Sequence, residues 1–252
     1  MVTNIYESDL LVDQYLLFHY GTAEDQLPYS FGPQEALFYP TRCVSDFLPA
    51  IGSVERALDL GCAVGRSTFE LSRWAGEVVG IDLSQRFIAA ANRVRETGLV
   101  EINRPEEGEL VTRLTRELPR DLNRERCRFE TGDATALRTN IGRFDVVLAA
   151  NLIDRVQSPA DLLNSFAGLV QSGGYLILSS PYTWLEEFTS KSNWLGGRYD
   201  STGQAIPTLD GIKEILQSSF DHQLTKDLPF LIREHARKFQ WSVAQATLWR
   251  RR

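Results

Sequence analysis

Cysteine and histidine are both scarce in this chain of 252 residues. The three cysteines are Cys43, Cys62 and Cys127, and the three histidines are His19, His222 and His235. An odd, sparse set of cysteines without a Cys-x-x-Cys pair argues against a disulfide framework and against a zinc site. The histidines are too scattered to suggest a metal cluster. We therefore predict no metal site.

Long hydrophobic runs are also missing. Glu7, Asp9 and Asp13 interrupt the apolar stretch of residues 1–17, whereas a signal peptide needs a basic start and an unbroken apolar core. No stretch approaches the ~20 apolar residues of a membrane span. We expect a soluble, cytoplasmic protein that has no membrane partner.

The chain also lacks an excess of basic residues. Lys and Arg number 27 against 33 Asp and Glu, which gives a formal net charge of -6. Nucleic-acid binders normally carry a basic excess or a concentrated basic face, so we predict a small-molecule substrate instead of DNA or RNA. The length suits one large α/β domain over residues 1–252. Nothing in these patterns indicates an oligomeric state.

Hydrophobic periodicity divides the chain into an N-terminal helical part and a longer core. Residues 8–20 and 34–50 read as helices, with Ser8 or Asp9 as the first N-cap, and we expect residues 1–50 to form a lid. Strands and helices then alternate from residue 51. Strands are predicted at 56–60, 78–81, 127–131, 144–149 and 175–179, and helices at 65–75, 84–97, 159–170 and 209–219. Such alternation indicates a parallel sheet covered by helices on both faces.

Two segments depart from this alternation. Residues 99–126 are polar and rich in Glu and Arg, and they could form an inserted hairpin, an ordered flap or a solvated loop. Residues 224–234 and 239–250 read as two long extended runs. We expect these runs to add an antiparallel hairpin to the sheet.

The strongest local motif is RALDLGCAVGRS at residues 56–67, where an apolar strand meets a turn of small residues and then a helix. Small residues let the backbone approach a ligand closely, and a helix start offers free N–H groups. Dinucleotides and S-adenosylmethionine are the two main ligands of this geometry. The Gly-x-Gly-x-x-Gly spacing of a dinucleotide site is not met, because Gly61 and Gly65 flank Ala63.

Further polar residues follow the other predicted strands. Asp82 and Leu83 follow the second strand, where an acid can accept hydrogen bonds from both ribose hydroxyls. Asp133 and Ala134 follow the third strand, and Asn151 follows the fourth. Ligands bind at the carboxyl ends of strands in an open parallel sheet, so these side chains should share one site.

Together these features resemble the class I methyltransferases, which use S-adenosyl-L-methionine. The loop from Asp59 through Gly61, Cys62 and Ala63 to Gly65 resembles their Asp-x-Gly-x-Gly-x-Gly motif, with Ala63 in place of the middle glycine. A residue with a Cβ should prefer a negative φ there. The resemblance implies a doubly wound, Rossmann-like sheet of seven strands with a C-terminal antiparallel hairpin. It also implies that Asp133 accepts from the adenine amino group.

The remaining segments are similar to the 4-mercaptohistidine N1-methyltransferase family, the methyltransferase domain of ovothiol synthases. The resemblance rests on segments that begin at residues 6, 56, 148, 179, 194 and 229: YESDLLVDQYLLFHYG, RALDLGCAVGRSTFELSR, LAANLIDRV, SSPYTWLEEFT, WLGG and PFLIREHARKFQWSVAQATLWRR. It implies N-methylation of the imidazole of 5-thiohistidine, which yields ovothiol A. We expect the iron-dependent sulfoxide synthase, whose sequence is not present here, to act as a separate functional partner.

This reading suggests residues for the substrate and for the methionine end of the cofactor. Asn151 and Asp154 are predicted to face the methyl group and the imidazole as catalytic residues, and Arg42 to hold the methionine carboxylate. Further substrate-binding candidates are Tyr15, His19 and Tyr20 of the lid, Tyr182, Trp184 and Glu186 after the fifth strand, and Arg233, Lys238 and Trp241 of the C-terminal hairpin. Arginine suits a carboxylate because it can bind bidentately, so Arg233 is the predicted carboxylate clamp.

Two other functions stay open from the sequence. The chain could methylate another small amine, acid or thiol, or it could bind adenosine ligands without turnover. The intact set of Gly61, Gly65, Asp82 and Asp133 argues against the second alternative.

Overall fold

The structure is a computed structural model that describes residues 8–252, so the first seven residues of the predicted N-terminal lid lie outside the described part. Helices α1 to α8 are Asp9–Tyr20, Ala23–Gln26, Tyr39–Ser45, Leu48–Ile51, Arg66–Leu71, Gln85–Thr97, Pro159–Leu169 and Thr208–Leu216. Strands β1 to β11 are Val54–Leu60, Ala75–Asp82, Leu99–Glu107, Leu110–Glu117, Cys127–Thr131, Phe144–Ala150, Val170–Ser180, Arg198–Tyr199, Ala205–Ile206, Phe220–His235 and Lys238–Arg251. Short 3₁₀ helices cover Gln34–Ala36, Arg124–Arg126, Ile153–Arg155 and Lys191–Asn193.

Seven strands form one sheet in the order β10-β11-β7-β6-β1-β2-β5. The five strands from β7 to β5 pair in parallel. Strand β11 runs antiparallel to both β7 and β10. The predicted fold class, a doubly wound and mostly parallel seven-stranded sheet with a C-terminal antiparallel hairpin, is confirmed.

The sheet separates two hydrophobic cores, because successive side chains of a strand point to opposite faces. In β6, Val146 belongs to the core beneath the N-terminal helices and α5, whereas Val147 belongs to the core beneath α7 and α8. Burial on both faces explains why β6 reads as a continuous apolar run.

Local sequence signals predicted the start of α1 correctly but gave one helix where the structure has three short elements. The predicted cap Ser8 accepts from the backbone N–H of Leu11 at 3.3 Å. The prediction of one helix over residues 34–50 is wrong, because a 3₁₀ turn, α3 and α4 share this stretch. Phe38 has a left-handed φ of 57° just before α3. Pro49 stands in the first turn of α4, where its missing N–H is tolerated, so it starts a helix instead of ending one.

Two further boundaries differ from the sequence prediction. The helix predicted over 65–75 ends at Leu71, because β2 already begins at Ala75. The fifth strand starts at Val170 instead of Tyr175, since a register shift between Phe144 and Val146 lets β7 pair earlier with β6.

The polar insertion over residues 99–126 contains a two-stranded antiparallel hairpin of β3 and β4. It lies against α1, where the backbone N–H of Asn103 donates to Asp13 Oδ1 at 2.9 Å. Of the three alternatives for this insertion, the structure therefore shows the hairpin.

Over residues 8–252, no helix combines the length and the apolar character needed to cross a bilayer. The same residues contain no group of three or more His, Cys, Asp or Glu side chains placed to hold a metal ion.

Candidate functional site

A cavity of about 670 Å³ opens at the carboxyl ends of β1, β2, β5 and β6. Side chains of α1 and α3 line its other wall. Its volume falls within the ~300–1,000 Å³ typical of small-molecule sites. The predicted site residues that line this cavity are Tyr15, His19, Asp59, Gly61, Cys62, Ala63, Asp82, Leu83, Asp133, Ala134 and Asn151.

The loop after β1 turns sharply at the bottom of the cavity. Ala63 has a φ of 48°, so the expectation of a negative φ at this position is wrong. Its backbone N–H donates to Asp82 Oδ2 at 2.9 Å, and Gly61 N–H donates to Ile81 O at 2.8 Å. The hydrogen bonds to the end of β2 hold the alanine in a conformation that usually requires glycine.

Gly65 does not line the cavity, in contrast to the prediction. Its φ is 90°, and a Cβ at this position would lie 2.6 Å from the ring of Phe129. The glycine is therefore required because α5 begins directly against β5, which is a packing requirement.

Two carboxylates stand at the ends of the neighbouring strands β2 and β5. Asp82 Oδ1 accepts from Ser84 N–H at 2.9 Å, in addition to the contact with the loop after β1. Asp133 Oδ1 accepts from the backbone N–H and the hydroxyl of Thr135, at 2.8 and 2.7 Å. These bonds fix both carboxylates on the cavity wall.

Asp59 lies deeper, at the end of β1, and is almost fully buried. Burial, assisted by the nearby Asp82 carboxylate, raises the pKa of Asp59 to about 7, although the hydroxyl of Thr68 donates to its Oδ2 at 2.7 Å. This carboxyl therefore changes its protonation state near neutral pH.

Helix α1 covers the cavity with Tyr15, Phe18 and His19. His19 Nδ1 accepts from the backbone N–H of Arg66 at 3.4 Å. Burial and the charge of Arg66 lower the pKa of His19 to about 3, so the ring is neutral at physiological pH. Because Nδ1 accepts, Nε2 carries the proton and can donate.

Tyr20, the third lid residue predicted to meet the substrate, does not line the cavity. Its hydroxyl donates to Val64 O at 2.6 Å. It therefore fastens α1 to the loop after β1.

Asn151 leaves β6 with a φ of 51° and lines the cavity wall. The hydroxyl of Tyr39 donates to Asn151 Oδ1 at 2.7 Å and contacts Ser179 Oγ at 2.8 Å. Because Oδ1 accepts this hydrogen bond, the amide nitrogen of Asn151 is the group that can donate to a ligand. Sequence reasoning missed Tyr39, because no local pattern relates it to a strand end 112 positions away.

Asp154 is fully buried and does not line the cavity, so the prediction that it faces the substrate is not met. It lies in the 3₁₀ turn after β6, where its Oδ2 accepts from Thr183 N–H and from Arg155 Nη1, both at 3.1 Å. Burial raises the pKa of Asp154, while Arg155 acts in the opposite direction. The neighbouring Arg155, which the sequence analysis passed over, lines the cavity instead.

The aromatic side chains that were predicted to form a ring pocket after β7 lie outside the cavity. Trp184 donates to Thr208 Oγ1 at 3.0 Å and stacks on Trp194, with ring centroids 6.3 Å apart. Tyr182 donates to the side chain of Gln245 at 3.0 Å. None of these side chains lines the cavity, and neither does the exposed Glu186, whereas the next residue, Glu187, does.

The predicted arginine ligands are likewise engaged in the protein. Arg42 donates to the carbonyls of Leu37 and Pro229. Arg233 is buried and donates to Asp25 O at 2.8 Å and to Glu106 Oε2 at 2.6 Å. Neither lines the cavity, so the predictions of two carboxylate-binding arginines are not met.

Lys238 and Trp241 of β11 also lie outside the cavity. Lys238 forms an ion pair with Glu234 at 2.7 Å, and Trp241 is 55% exposed. The C-terminal hairpin therefore does not bring its predicted substrate residues to the site.

Comparison with known proteins agrees with this geometry. Residues 35–219 match the model of a family described as "Methyltransferase domain", and the chain belongs to this family. Ubiquinone biosynthesis O-methyltransferase of Burkholderia multivorans is 28% identical over 127 residues, which are 50% of this chain and 44% of that protein. The enzyme of the same name from Coxiella burnetii is 23% identical over 126 residues, or 50% and 43%. The matches thus span less than half the length of these relatives.

Solved structures share the fold. Magnesium protoporphyrin IX methyltransferase (ChlM) from Synechocystis PCC 6803, with bound SAH, superposes with a TM-score of 0.59 at 16% identity, covering 100% of this chain and 98% of that chain. The N-methyltransferase NodS from Bradyrhizobium japonicum WM9, in complex with S-adenosyl-l-homocysteine, gives a TM-score of 0.52 at 14% identity, covering 95% and 98%. The chain thus belongs to the methyltransferase-domain family and shares the class I fold of these enzymes.

The residues of the cavity fit S-adenosylmethionine, the cofactor that the sequence resemblance implies. Asp82 and Asp133 present carboxylates at adjacent strand ends, where ribose hydroxyls and an adenine amino group need acceptors. The tight loop of Gly61 to Ala63 leaves room for close approach of a ligand to the backbone. When bound, the cofactor supplies an electrophilic methyl group on a sulfonium.

Proposed function

We propose that this methyltransferase acts on a small molecule and methylates an imidazole nitrogen of 5-thiohistidine, giving ovothiol A. The resemblance to the 4-mercaptohistidine N1-methyltransferases supports this substrate, as does the character of the cavity wall. The observation that carries the proposal is the set of oriented hydrogen-bonding groups beside the adenosine-binding carboxylates, formed by Asn151, Tyr39 and His19. The thiol would be installed beforehand by an iron-dependent sulfoxide synthase acting as a separate functional partner.

An imidazole that is to be methylated must keep one ring nitrogen unprotonated. Neutral His19 with its Nε2–H and Asn151 with its amide nitrogen are donors that can engage the thiolate sulfur of the substrate, while the second ring nitrogen carries the ring proton. Holding the sulfur in a hydrogen bond lowers its competition as a nucleophile. Regioselectivity therefore follows from the way in which the ring is held.

The cavity also favours displacement by excluding water. Tyr15, Phe18 and Tyr39 line it on the side of the lid, and rings of this size exclude water from the reacting atoms. In the reaction the ring nitrogen forms a bond to the methyl carbon as the carbon–sulfur bond of the sulfonium breaks. The sulfur keeps the bonding electron pair, and the surplus proton of the ring passes to solvent.

The first prediction concerns the substrate. The protein is incubated with methyl-labelled cofactor and 5-thiohistidine, histidine, ergothioneine or a catechol, and labelled products are resolved by mass spectrometry. We expect transfer to the ring nitrogen of 5-thiohistidine with at least a roughly 100-fold preference in kcat/KM over histidine, because loss of one well-placed hydrogen-bond partner costs a site of this kind severely.

Three results contradict the proposal. Transfer to histidine but not to its thiol excludes the ovothiol function. Transfer to the catechol alone favours an O-methyltransferase, the activity named for the relatives from Burkholderia and Coxiella. Absence of cofactor binding in a calorimetric titration would indicate a binding module without turnover.

A further inference from the structure

Among residues 8–252, Arg155 is the only lysine or arginine that lines the cavity. It stands at the end of the 3₁₀ turn that follows β6, only a few residues beyond Asn151. The side chain of Arg155 is 26% exposed, so it brings a partly desolvated positive charge to a small-molecule site. Asp154, its partner in an ion pair, lies outside the cavity, so the guanidinium is a candidate to bind an anionic group of a ligand.

The surroundings of Arg155 hold its guanidinium in one orientation. Nη1 donates to the carbonyl of Asp154 at 3.0 Å, to Asp154 Oδ2 at 3.1 Å and to Thr183 O at 3.0 Å. The ring of Phe188 lies under the guanidinium, with its centroid 5.1 Å from Cζ. Within the described residues, the hydrogen bonds of this side chain to the protein start from Nη1, which leaves Nε and Nη2 for a ligand.

We propose that Arg155 binds the carboxylate of an amino-acid substrate through Nε and Nη2. The inference rests on the proposed function and names the residue that recognises the amino-acid end. The Nε/Nη2 edge of a guanidinium matches the two oxygens of a carboxylate, which gives a bidentate and strongly oriented contact. Buried Asp154 is then a positioning residue, because it fixes the opposite edge of the guanidinium.

The ammonium group of the same substrate finds partners on the same wall. Asp161 and Glu187 are exposed carboxylates that line this cavity. Within residues 8–252 neither forms an ion pair within 4.0 Å with a lysine or arginine of the protein. A zwitterion that places its carboxylate on Arg155 and its ammonium towards these acids satisfies both signs of charge.

The methionine end of the cofactor is also a zwitterion, so Arg155 has one competing ligand. The two possibilities differ in binding. If Arg155 holds the cofactor, Arg155→Gln weakens the affinity for S-adenosylhomocysteine. If it holds the substrate, the affinity for S-adenosylhomocysteine in the absence of substrate stays within about threefold of wild type. A calorimetric titration separates them, and a loss above roughly 10-fold overturns the inference.

The second prediction pairs a substrate change with a residue change. Wild type and Arg155→Gln are assayed on 5-thiohistidine and on 5-thiohistamine, which lacks the carboxylate. Wild type should prefer 5-thiohistidine by roughly 10- to 100-fold in kcat/KM, since a hydrogen bond to a charged group is involved. In Arg155→Gln this preference should shrink to near unity, with the loss confined to 5-thiohistidine and carried by KM.

Controls separate charge, folding and the proposed function. Arg155→Lys should keep part of the preference, and Arg237→Gln, which removes an exposed arginine from the turn between β10 and β11, should keep all of it. Circular dichroism of Arg155→Gln checks that the fold is intact. The preference of wild type for 5-thiohistidine over 5-thiohistamine is measured without any variant. The inference therefore stays testable even if Arg155→Gln does not fold.

The outcomes distinguish the two proposals. If wild type methylates 5-thiohistidine and 5-thiohistamine equally well, or if Arg155→Gln slows both by the same factor, the inference about Arg155 is wrong and the proposed function stands. If wild type methylates neither compound, the proposed function is wrong and the inference is overturned with it.

Discussion

At the scale of single residues, two titratable side chains of the cavity are shifted towards their neutral forms. His19, of α1, has a pKa lowered to about 3, and Asp59, at the end of β1, has a pKa raised to about 7. Burial is the main cause in both cases, because a low dielectric disfavours the charged form of either group. Between these two pKa values the cavity therefore carries little charge at the two positions.

The third prediction follows from Asp59. Because its pKa is higher in the folded protein than the usual 3.8, its protonated form favours folding below about pH 4, and this contribution is lost as pH rises through 7. Asp59→Asn removes the dependence and keeps an acceptor for Thr68. At about 1.4 kcal/mol per pKa unit, we expect the variant to exceed wild type in stability by as much as ~4 kcal/mol at pH 8.5 and to match it at pH 4.

Urea denaturation at the two pH values measures this difference. Equal stability of Asp59→Asn and wild type at pH 8.5 would show that the carboxyl ionises as it does in the unfolded chain. His19 acts in the opposite sense, since its depressed pKa lowers stability as pH falls from about 6.5 to 3, and it cancels in the comparison because both proteins contain it.

Sequence reasoning brought together several residues that line the cavity and misplaced others, for a physical reason. The ends of parallel strands meet at one edge, so Asp59, Asp82, Asp133 and Asn151 could be brought together from their order alone. Which β10 side chains reach the cavity depends on the alternation of side chains between the two faces of a strand. Ile232 lines the cavity, whereas Arg233, one residue later, points to the opposite face and meets Glu106.

At the scale of elements, an ion-pair cluster connects α2 of the lid to the inserted hairpin of β3 and β4. Asp25 is 4% exposed and accepts from Arg116 Nε at 2.7 Å and from Arg104 Nη1 at 3.1 Å. Although burial opposes it, hydrogen bonds from Arg116 and Thr22 lower the pKa of Asp25. The contribution of this carboxylate to stability is thus present at neutral pH and is lost as pH falls through its lowered pKa.

The fourth prediction is that Asp25→Asn destabilises the protein by roughly 3 kcal/mol, because two arginines lose a buried counter-charge. The N-terminal helices should become more sensitive to limited proteolysis, and the affinity for S-adenosylhomocysteine should fall, since α1 lines the cavity. The matched control is Asp121→Asn, whose carboxylate pairs with Arg73 but is 66% exposed, so a much smaller change in stability is expected. Equal effects of the two substitutions contradict the role of the cluster.

Elements of the core were more predictable than those of the lid. Strand β5 was found at its observed bounds and β6 to within one residue, because β5 alternates buried Cys127 and Phe129 with polar residues and β6 is a short buried apolar run. No such local pattern predicts the structure of the insertion or of the lid. Their structure depends on contacts across the chain, such as Asn103 with Asp13, which no pattern within either segment reveals.

At the scale of the whole molecule, the cavity joins the lid to the core, since Tyr15 and Tyr39 line it from one side and Asp82 and Asp133 from the other. A ligand that fills it must therefore stabilise both parts together. The fold class was predictable at this scale because it depends on element order alone.

The fifth prediction is a cooperative thermal stabilisation by cofactor. S-adenosylhomocysteine at 100 times its Kd should stabilise the protein by about 2.7 kcal/mol, which raises the Tm of a domain of this size by roughly 5–10 °C. NAD⁺ at the same concentration is the control and should produce no shift, because the Gly-x-Gly-x-x-Gly spacing is not met. Calorimetry should show one transition; a shift with NAD⁺ alone would contradict the cofactor assignment.

The contacts between the lid and β10 also govern when the protein can become active during its synthesis. Arg233 donates to Asp25 O across 208 positions of the chain, and Arg42 reaches Pro229 across 187. The N-terminal helices leave the ribosome well before their docking surface on β10 is translated. At 5–20 residues per second, the lid waits roughly 10–40 s for β10. We expect a nascent chain to gain cofactor affinity only after its final hairpin has emerged.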